Sequence, residues 1–354
     1  MSGVPDTTLR VLVCGGGALA HAFAGVIGAL PDARVMVLCR RPVEWSDTIL
    51  VHHADLVVVG RAEVTHDPVV AAQAALILVA APAYAHAPIL HRLVPYIQSN
   101  SWIAALPAIG GFDLLIGDLM PRHVKLLGSL RAPYNARVIR YGHEVLVTGV
   151  VPRLDIVVGR GADEGEALGL VDQAFGLPVR VVKPFLLATL SPAGTIFHAA
   201  RLFELLTEPK PIRQNFYANW GVTAGHAYLA MDNELTALRR ALRCDVSGIE
   251  AASHYGVSDP AALAARVRSL RGLPEVEAPI RDGMLEAEHR FVREDVPYGL
   301  CLVRHLADGL RLPCPVVTKV LETIAVAAGP AASSLTRLPS HIASRRLEDW
   351  IEAV

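Results

Sequence analysis

Lysine is the scarcest charge in this 354-residue sequence: of 33 basic side chains, only Lys125, Lys183, Lys210 and Lys319 are not arginine. Guanidinium groups favour planar, two-pronged recognition of carboxylates and phosphates. The formal net charge is only −1, which argues against nucleic acid or an anionic membrane as a partner. Cysteine is sparse as well. Cys14, Cys39, Cys244, Cys301 and Cys314 are odd in number and never spaced as C-x-x-C. That pattern suggests neither a disulfide framework nor a metal site, and it fits a reduced, cytoplasmic setting. The longest apolar run, residues 74–83, carries Pro82 near its end and falls short of a bilayer span. The opening MSGVPDTTLR lacks the basic, apolar and small-residue regions of a signal peptide.

What is abundant is apolar surface, at 52% of residues against 19% charged. A chain of this size buries roughly 75% of its unfolded surface, enough for a core without metal or disulfide. The surplus of apolar residues predicts a homodimer, with an interface through the C-terminal part. Length predicts two domains. The first third alternates short β-branched runs (9–14, 34–39, 56–59, 75–80, 102–106) with helical stretches (18–30, a short helix after Asp67, 86–98). Alternation of this kind means a parallel sheet covered on both faces. Residues 143–150 and 154–159 read as a hairpin, followed by a helix over 163–175 and a strand at 178–182. Beyond about 188 the pattern turns helical: 215–243, with Met231, Leu235, Leu238 and Leu242 on one face, then 260–270, 281–292, 298–310 and 313–328. The fold class is therefore α/β, an N-terminal Rossmann-type doubly wound parallel sheet with a C-terminal all-helical domain. The domains are 1–187 for dinucleotide binding, 188–330 for substrate and catalysis, and 331–354 as a tail with a short amphipathic helix.

Directly after the first strand stands Gly15-Gly16-Gly17-Ala18-Leu19-Ala20, a G-x-G-x-x-A pattern opening a helix. Gly15 permits a tight turn, Gly17 lets the backbone approach a pyrophosphate, and Ala20 allows close helix–strand packing. From Ala18 onward the helix start offers free N–H groups to the anion. The bland alternative is an ordinary glycine turn. An NAD site carries an acid some 20 residues later to bond the ribose 2′-hydroxyl. Here the region reads Val37-Leu38-Cys39-Arg40-Arg41-Pro42, with no acid before Glu44. Arg40 and Arg41 suit a 2′-phosphate, each charged hydrogen bond contributing roughly 1.5–3 kcal/mol. NADPH is accordingly preferred over NADH, the alternative being a solvated arginine pair. Pro82 and His86, after the 75–80 strand, are expected to line the nicotinamide end, with a plain surface histidine as the rival for His86.

Several stretches together resemble the octopine/nopaline-type opine dehydrogenases. They are GGGALAHAFA from Gly15, with His21 after the turn; RRPVEW over 40–45; PYNAR over 133–137; and Tyr141-Gly142-His143-Glu144-Val145. The most specific is RFVREDVPYGL over 290–300, similar to the family's R-x-x-x-E-D-[VI]-P-x-G-L segment. Residues 231–243 also resemble the family's long-helix pattern. The resemblance implies NAD(P)H-dependent reductive condensation of an amino acid's amine with a 2-oxo acid such as pyruvate. It also implies that His198 is the catalytic histidine, in the place of an N-x-x-x-H-P-like stretch. Gly194 and Ala199 replace the family's Asn and Pro, a departure that bears on substrate and activity.

Histidine exchanges protons near neutral pH, and a carboxylate on one ring nitrogen fixes its tautomer. Asp295 is the candidate partner, meeting His198 across a domain cleft. Arg290 is the candidate grip on the 2-oxo acid carboxylate. Each has an alternative: His198 as a satisfied core histidine, Asp295 as a helix N-cap before Val296-Pro297, Arg290 and Arg293 as surface pairs with Glu286 and Glu294. His226 and Asp232 point to the same cleft or to nothing. Two rival functions share the two-domain plan. A ketopantoate reductase or β-hydroxyacid dehydrogenase relative would use a lysine at the head of the long helix, where the nearest is Lys210. A non-catalytic NADP-binding protein would keep only the glycine turn.

Overall fold

The computed structural model describes residues 8–350 except 121–123, 160, 209–214, 245–246, 271–272, 274–275, 282–283, 347 and 349; Lys210 therefore lies outside the described residues. Two compact units result, the first from the described parts of Met1–Ala81, Ala85–Leu106 and Leu119–Val181. The second comprises Pro82–Tyr84, Pro107–Asp118 and the described part of Val182–Val354.

In the first unit, the strands are β1 (Leu9–Cys14), β2 (Ala33–Leu38), β3 (Thr48–His53), β4 (Leu56–Arg61), β5 (Glu63–Thr65), β6 (Leu76–Val79), β7 (Trp102–Ala105), β8 (Lys125–Ser129), β9 (Tyr134–Arg140), β10 (Glu144–Val150), β11 (Leu154–Val158) and β12 (Val179–Val181). The main sheet runs β12-β11-β8-β7-β6-β1-β2-β5. Every neighbouring pair is parallel except β8 with β11. Strand order reverses between β1 and β6, the switch point at which open α/β sheets bind ligands. Helix α1 (Ala18–Ile27) follows β1, and its Phe23 and Ile27 join Val11, Val13, Val35, Val37 and Leu78 in one buried cluster.

A second sheet, β4-β3-β10-β9, corrects two expectations. Residues 56–59 do not form the third Rossmann strand. They belong to β4, antiparallel to β3, and the short β5 takes the place beside β2. Nor do 143–150 and 154–159 form a hairpin: β10 pairs with β9 and β3, whereas β11 joins the main sheet beside β8. Alternating β-branched residues mark a strand but do not name its partner. Helix α1 meets this sheet through glycine contacts. A Cβ on Gly60 would fall 2.0 Å from the Gly25 carbonyl oxygen, and one on Gly25 would fall 2.2 Å from Val51 Cγ2.

Helices α2 (Ala83–Leu93), α3 (Phe112–Leu119) and α4 (Glu164–Phe175) follow in chain order. In the second unit come α5 (Leu186–Thr189), α6 (Pro192–Thr195), α7 (Phe197–Thr207), α8 (Val222–Ala241), α9 (Ala251–Tyr255), α10 (Pro260–Ser269), α11 (Arg290–Arg293), α12 (Cys301–Gly309), α13 (Pro315–Ala328), α14 (Ala332–Leu335) and α15 (Ser340–Ala343). Met231, Leu235, Leu238 and Leu242 are buried as the helical spacing predicts. The long helix starts later than its composition suggests. Asn215 accepts from the backbone N–H groups of Tyr217 and Ala218 and holds turns there. Gly221 is the N-cap of α8; its N–H donates to Glu204, which also pairs with Arg201. Residues 281–292 are not one helix: Ile280–Arg281 and Met284–Leu285 pair as antiparallel strands, and only Arg290–Arg293 is helical. Pro315–Leu335 is long and apolar enough to span a bilayer by length and composition; one face of α13, with Val317, Val320, Leu321 and Ile324 buried, packs on α7 and α8. All five cysteines are free and buried.

Candidate active site

The glycine turn of the first unit is built for close approach. Gly15 has φ +146°, and a Cβ there would sit 2.2 Å from the Ala80 carbonyl oxygen at the end of β6. Only glycine fits both that backbone angle and that contact. Around the Cβ position of Gly17, by contrast, nothing lies within 4 Å. Gly17 is the N-cap of α1 without a side-chain cap, and the helix has no acid in its first turn. The opening N–H groups of the helix are thus left for an anion, with the positive end of its dipole behind them. Ala18 opens the helix, and Ala20 is fully buried.

Three separate motif segments converge beside this turn. Gly142 N–H donates to His21 Nε2 at 2.7 Å, so Nδ1 carries the proton and donates to the Gly17 carbonyl at 2.8 Å. Burial lowers the pKa of His21, partly offset by its bond to Gly17, and keeps the ring neutral for this pair of roles. The imidazole stacks on Trp45 at 4.1 Å, and Tyr141 lies edge-on to both rings. Arg41 lies over Tyr141 at 4.1 Å and pairs with Glu44 at 3.0 Å. Arg40 is exposed and forms no ion pair with a described residue. The two arginines therefore differ: one is held locally and the other reaches into solvent. His86 is buried, with Nε2 2.9 Å from the Ala81 carbonyl oxygen, so the surface alternative is wrong. Pro82 is half-buried at the head of α2.

In the second unit, His198 is the second residue of α7, and its Nδ1 lies 2.6 Å from Asp295 Oδ2. The expectation that the two meet across a domain cleft is corrected: both belong to the same unit. Asp295 makes no capping bond to the π-turn Val296–Leu300 that follows, which removes the N-cap alternative. His198 Nε2 lies 2.9 Å from Tyr217 Oη, and Phe291 stacks on the imidazole at 3.9 Å. The side chains of His198 and Asp295 are 12% and 5% exposed. With Nδ1–H donating to the carboxylate, Nε2 is the nitrogen free to accept and return a proton.

Arg290 projects outward, 58% exposed, with Nε 3.3 Å from Glu294. The partner is one that the surface-pair alternative named, but its carboxylate does not lie on a solvated face; Arg293 pairs with Glu288 and with neither of the named acids. Glu294 is buried and also accepts from Ala83 N–H at 2.7 Å. Burial pushes its carboxyl up to about 7 against the pull of Arg290, with Asp295 adding to the rise. His226 is exposed, and Asp232 is committed to Arg239 and the Ala251 N–H. Neither joins the His198 cluster. A Cβ on Gly194 would fall 2.8 Å from Ile109 Cγ2, so Ile109 occupies the space a side chain there would need.

Tyr217 and Phe291 were not foreseen. Phe291 stands one helical turn before Asp295, a spacing that aligns the two when the segment coils. Tyr217 carried no such signal, because its position depends on the turns that Asn215 sets ahead of α8. Among the described residues no cluster of His, Cys, Asp and Glu is arranged to hold a metal.

Residues 181–328 match the α-helical domain of the NAD/NADP octopine/nopaline dehydrogenases. The octopine dehydrogenase of Mizuhopecten yessoensis is 24% identical over 349 residues, covering 87% of each chain. The tauropine dehydrogenase of Arabella iricolor is also 24% identical, over 88% of this chain and 89% of its own. Among solved structures, octopine dehydrogenase with NADH and L-arginine superposes with a TM-score of 0.80 at 22% identity, over 98% of both chains, a likeness of fold.

Proposed function

From the premise that this chain belongs to the octopine/nopaline-type opine dehydrogenase family, we propose that it condenses the amine of an amino acid with a 2-oxo acid such as pyruvate and reduces the product with NADPH to a secondary amine dicarboxylate. The observation that carries the reading is the His198–Asp295 contact of 2.6 Å inside the segment that matches the family's helical domain. We assign nucleotide binding to the first unit and substrate chemistry to the second, and place the protein in a reduced cytoplasm.

The open surface at Gly17 and the uncapped start of α1 fit a pyrophosphate, which Gly15, Gly17, Ala18 and Ala20 would hold. Arg40, which forms no ion pair with a described residue, would read the 2′-phosphate, while Arg41 is already occupied by Glu44 and Tyr141. Pro82 and His86 would shape the nicotinamide end. When bound, the dinucleotide supplies the hydride. His198, its Nδ1–H held by Asp295, takes a proton at Nε2 from the attacking amine and returns it to the 2-oxo acid oxygen, assisting loss of water as amine and carbonyl join. Asp295 fixes the tautomer and stabilises the imidazolium that forms. Arg290, exposed at the head of α11, grips the 2-oxo acid carboxylate.

NADPH absorbance is followed with pyruvate or 2-oxoglutarate, with and without a panel of amino acids. Consumption that demands both partners is the expected result. Consumption with the oxo acid alone would replace this reading with a ketopantoate reductase-like one. Binding without consumption would leave a nucleotide-binding protein.

A further inference from the structure

Glu294 and Asp295 stand side by side after α11, and the chemistry described so far uses only Asp295. Glu294 is buried, and its two oxygens have different partners. Oε1 accepts from the Ala83 N–H at 2.7 Å, and Oε2 lies 3.3 Å from Arg290 Nε. Ala83 and Arg290 belong to the same unit. A buried carboxylate is costly unless it is paired, and a neutral amide would accept from Ala83 just as well. Only the guanidinium of Arg290 gives the charge a use. The Glu294 N–H donates to the Arg290 carbonyl at 2.9 Å, closing one helical turn that brings the two side chains together. Contact through Nε leaves the terminal fork of Arg290 clear: neither of its outer nitrogens hydrogen-bonds a described residue.

We propose that Glu294 is a positioning residue for the 2-oxo acid: anchored at the Ala83 N–H, it holds Arg290 by Nε and presents the terminal fork of the guanidinium to the substrate carboxylate beside His198. This role rests on the reductive condensation proposed above and on Arg290 as the grip in it. The placement of Arg290 supports it. Its guanidinium carbon lies 5.9 Å from the centre of the Phe291 ring, which stacks on His198. Besides Glu294, its charge acts on Asp295 and Tyr217, the two residues bonded to the His198 ring. A long side chain that is ordered only when its ligand arrives weakens binding by the freedom it then loses. The exposed Arg290 would be such a side chain without Glu294, which orders it beforehand. One short segment thus aims the carboxylate grip through Glu294 and the imidazole through Asp295.

The test is a double-mutant cycle of Glu294→Gln and Arg290→Gln, read by steady-state NADPH kinetics with pyruvate or 2-oxoglutarate and the amino acid that supports turnover, each varied in turn. It is run at pH 8, where the Glu294 carboxyl, pushed up to about 7 by burial, is ionised. Glu294→Gln keeps an acceptor for the Ala83 N–H and turns a donor toward Arg290. It is expected to raise KM for the oxo acid about tenfold, with KM for the amino acid within about twofold and kcat falling far less than that KM rises. Arg290→Gln is expected to raise the same KM further, and adding Glu294→Gln to it to change KM by less than about twofold, since Glu294 then has nothing to aim. A Glu294 that only supports the fold would alter thermal unfolding and leave this KM alone. An unchanged KM for the oxo acid in either single variant overturns the proposal, as do effects that multiply independently in the double variant. A wild type that consumes no NADPH with both substrates present overturns the condensation itself, and this role with it, before any variant is compared.

Discussion

His198 and Asp295, 97 positions apart, meet at 2.6 Å with the imidazole pressed against Phe291. The ring is fixed on three sides: carboxylate at Nδ1, phenol at Nε2, aromatic face below. His198→Ala is expected to lower turnover by about 10²–10⁴ while the Kd for NADPH hardly changes. Asp295→Asn is expected to lower kcat with little effect on cofactor affinity, because an amide no longer stabilises the imidazolium. Stopped-flow turnover beside fluorescence titration of NADPH reads both; a His198 variant at full rate removes that residue from the chemistry.

Tyr217 is expected to position rather than to react. Tyr217→Phe keeps the ring contacts with Phe216 and Phe291 and removes only the hydroxyl at Nε2. The expected outcome is about a tenfold fall in kcat with KM for the oxo acid nearly unchanged. A change confined to thermal stability would make Tyr217 a packing residue alone.

Arg40 and Arg41 are adjacent but differently placed, and their variants should behave differently. Arg40→Glu is expected to weaken NADPH by at least tenfold and NADH by much less, since only the phosphate is lost as a partner. Arg41→Glu disturbs the Glu44 pair and the Tyr141 contact and is expected to affect both nucleotides alike. Equal effects of Arg40→Glu on the two cofactors would mean that it does not read the phosphate.

Glu294 links stability to pH. Its folded-state carboxyl sits at about 7, above the ordinary value near 4.3 that it takes when unfolded. Between these pH values the unfolded chain has released a proton that the folded chain still holds. Stability therefore falls as pH rises through the window, and the loss is complete above about pH 7. Glu294→Gln retains an acceptor for the Ala83 N–H without the buried charge. It is expected to stabilise the protein by on the order of 1–3 kcal/mol at pH 8 and negligibly at pH 4. Urea melts at the two pH values measure this; an equal effect at both would refute it.

Much of this was legible before the structure, for physical reasons that differ by element. The turn from β1 into α1 could be read because only glycine meets the demands of φ and close approach at Gly15. The His198 and Asp295 positions came through motif resemblance, and nothing in their spacing could show that one unit contains both. Residues 56–59 misled, because a continuous apolar run is the signature of a buried parallel strand, and here it lies on an exposed edge. Gly194 read as a loss of function-bearing Asn; the structure adds that a Cβ there would meet Ile109 Cγ2 at 2.8 Å.

The contact of Gly25 with Gly60 has a bearing on the opposite end of the same helix. Because α1 seats directly on backbone there, the second sheet acts as a mount that sets the tilt of the helix and hence the aim of its first N–H groups. A methyl group at Gly25 would have to displace Val51 and tip that aim. Gly25→Ala, remote from any bound phosphate, is accordingly expected to loosen nucleotide retention in an equilibrium titration, whereas unchanged affinity would show that the mount tolerates the shift.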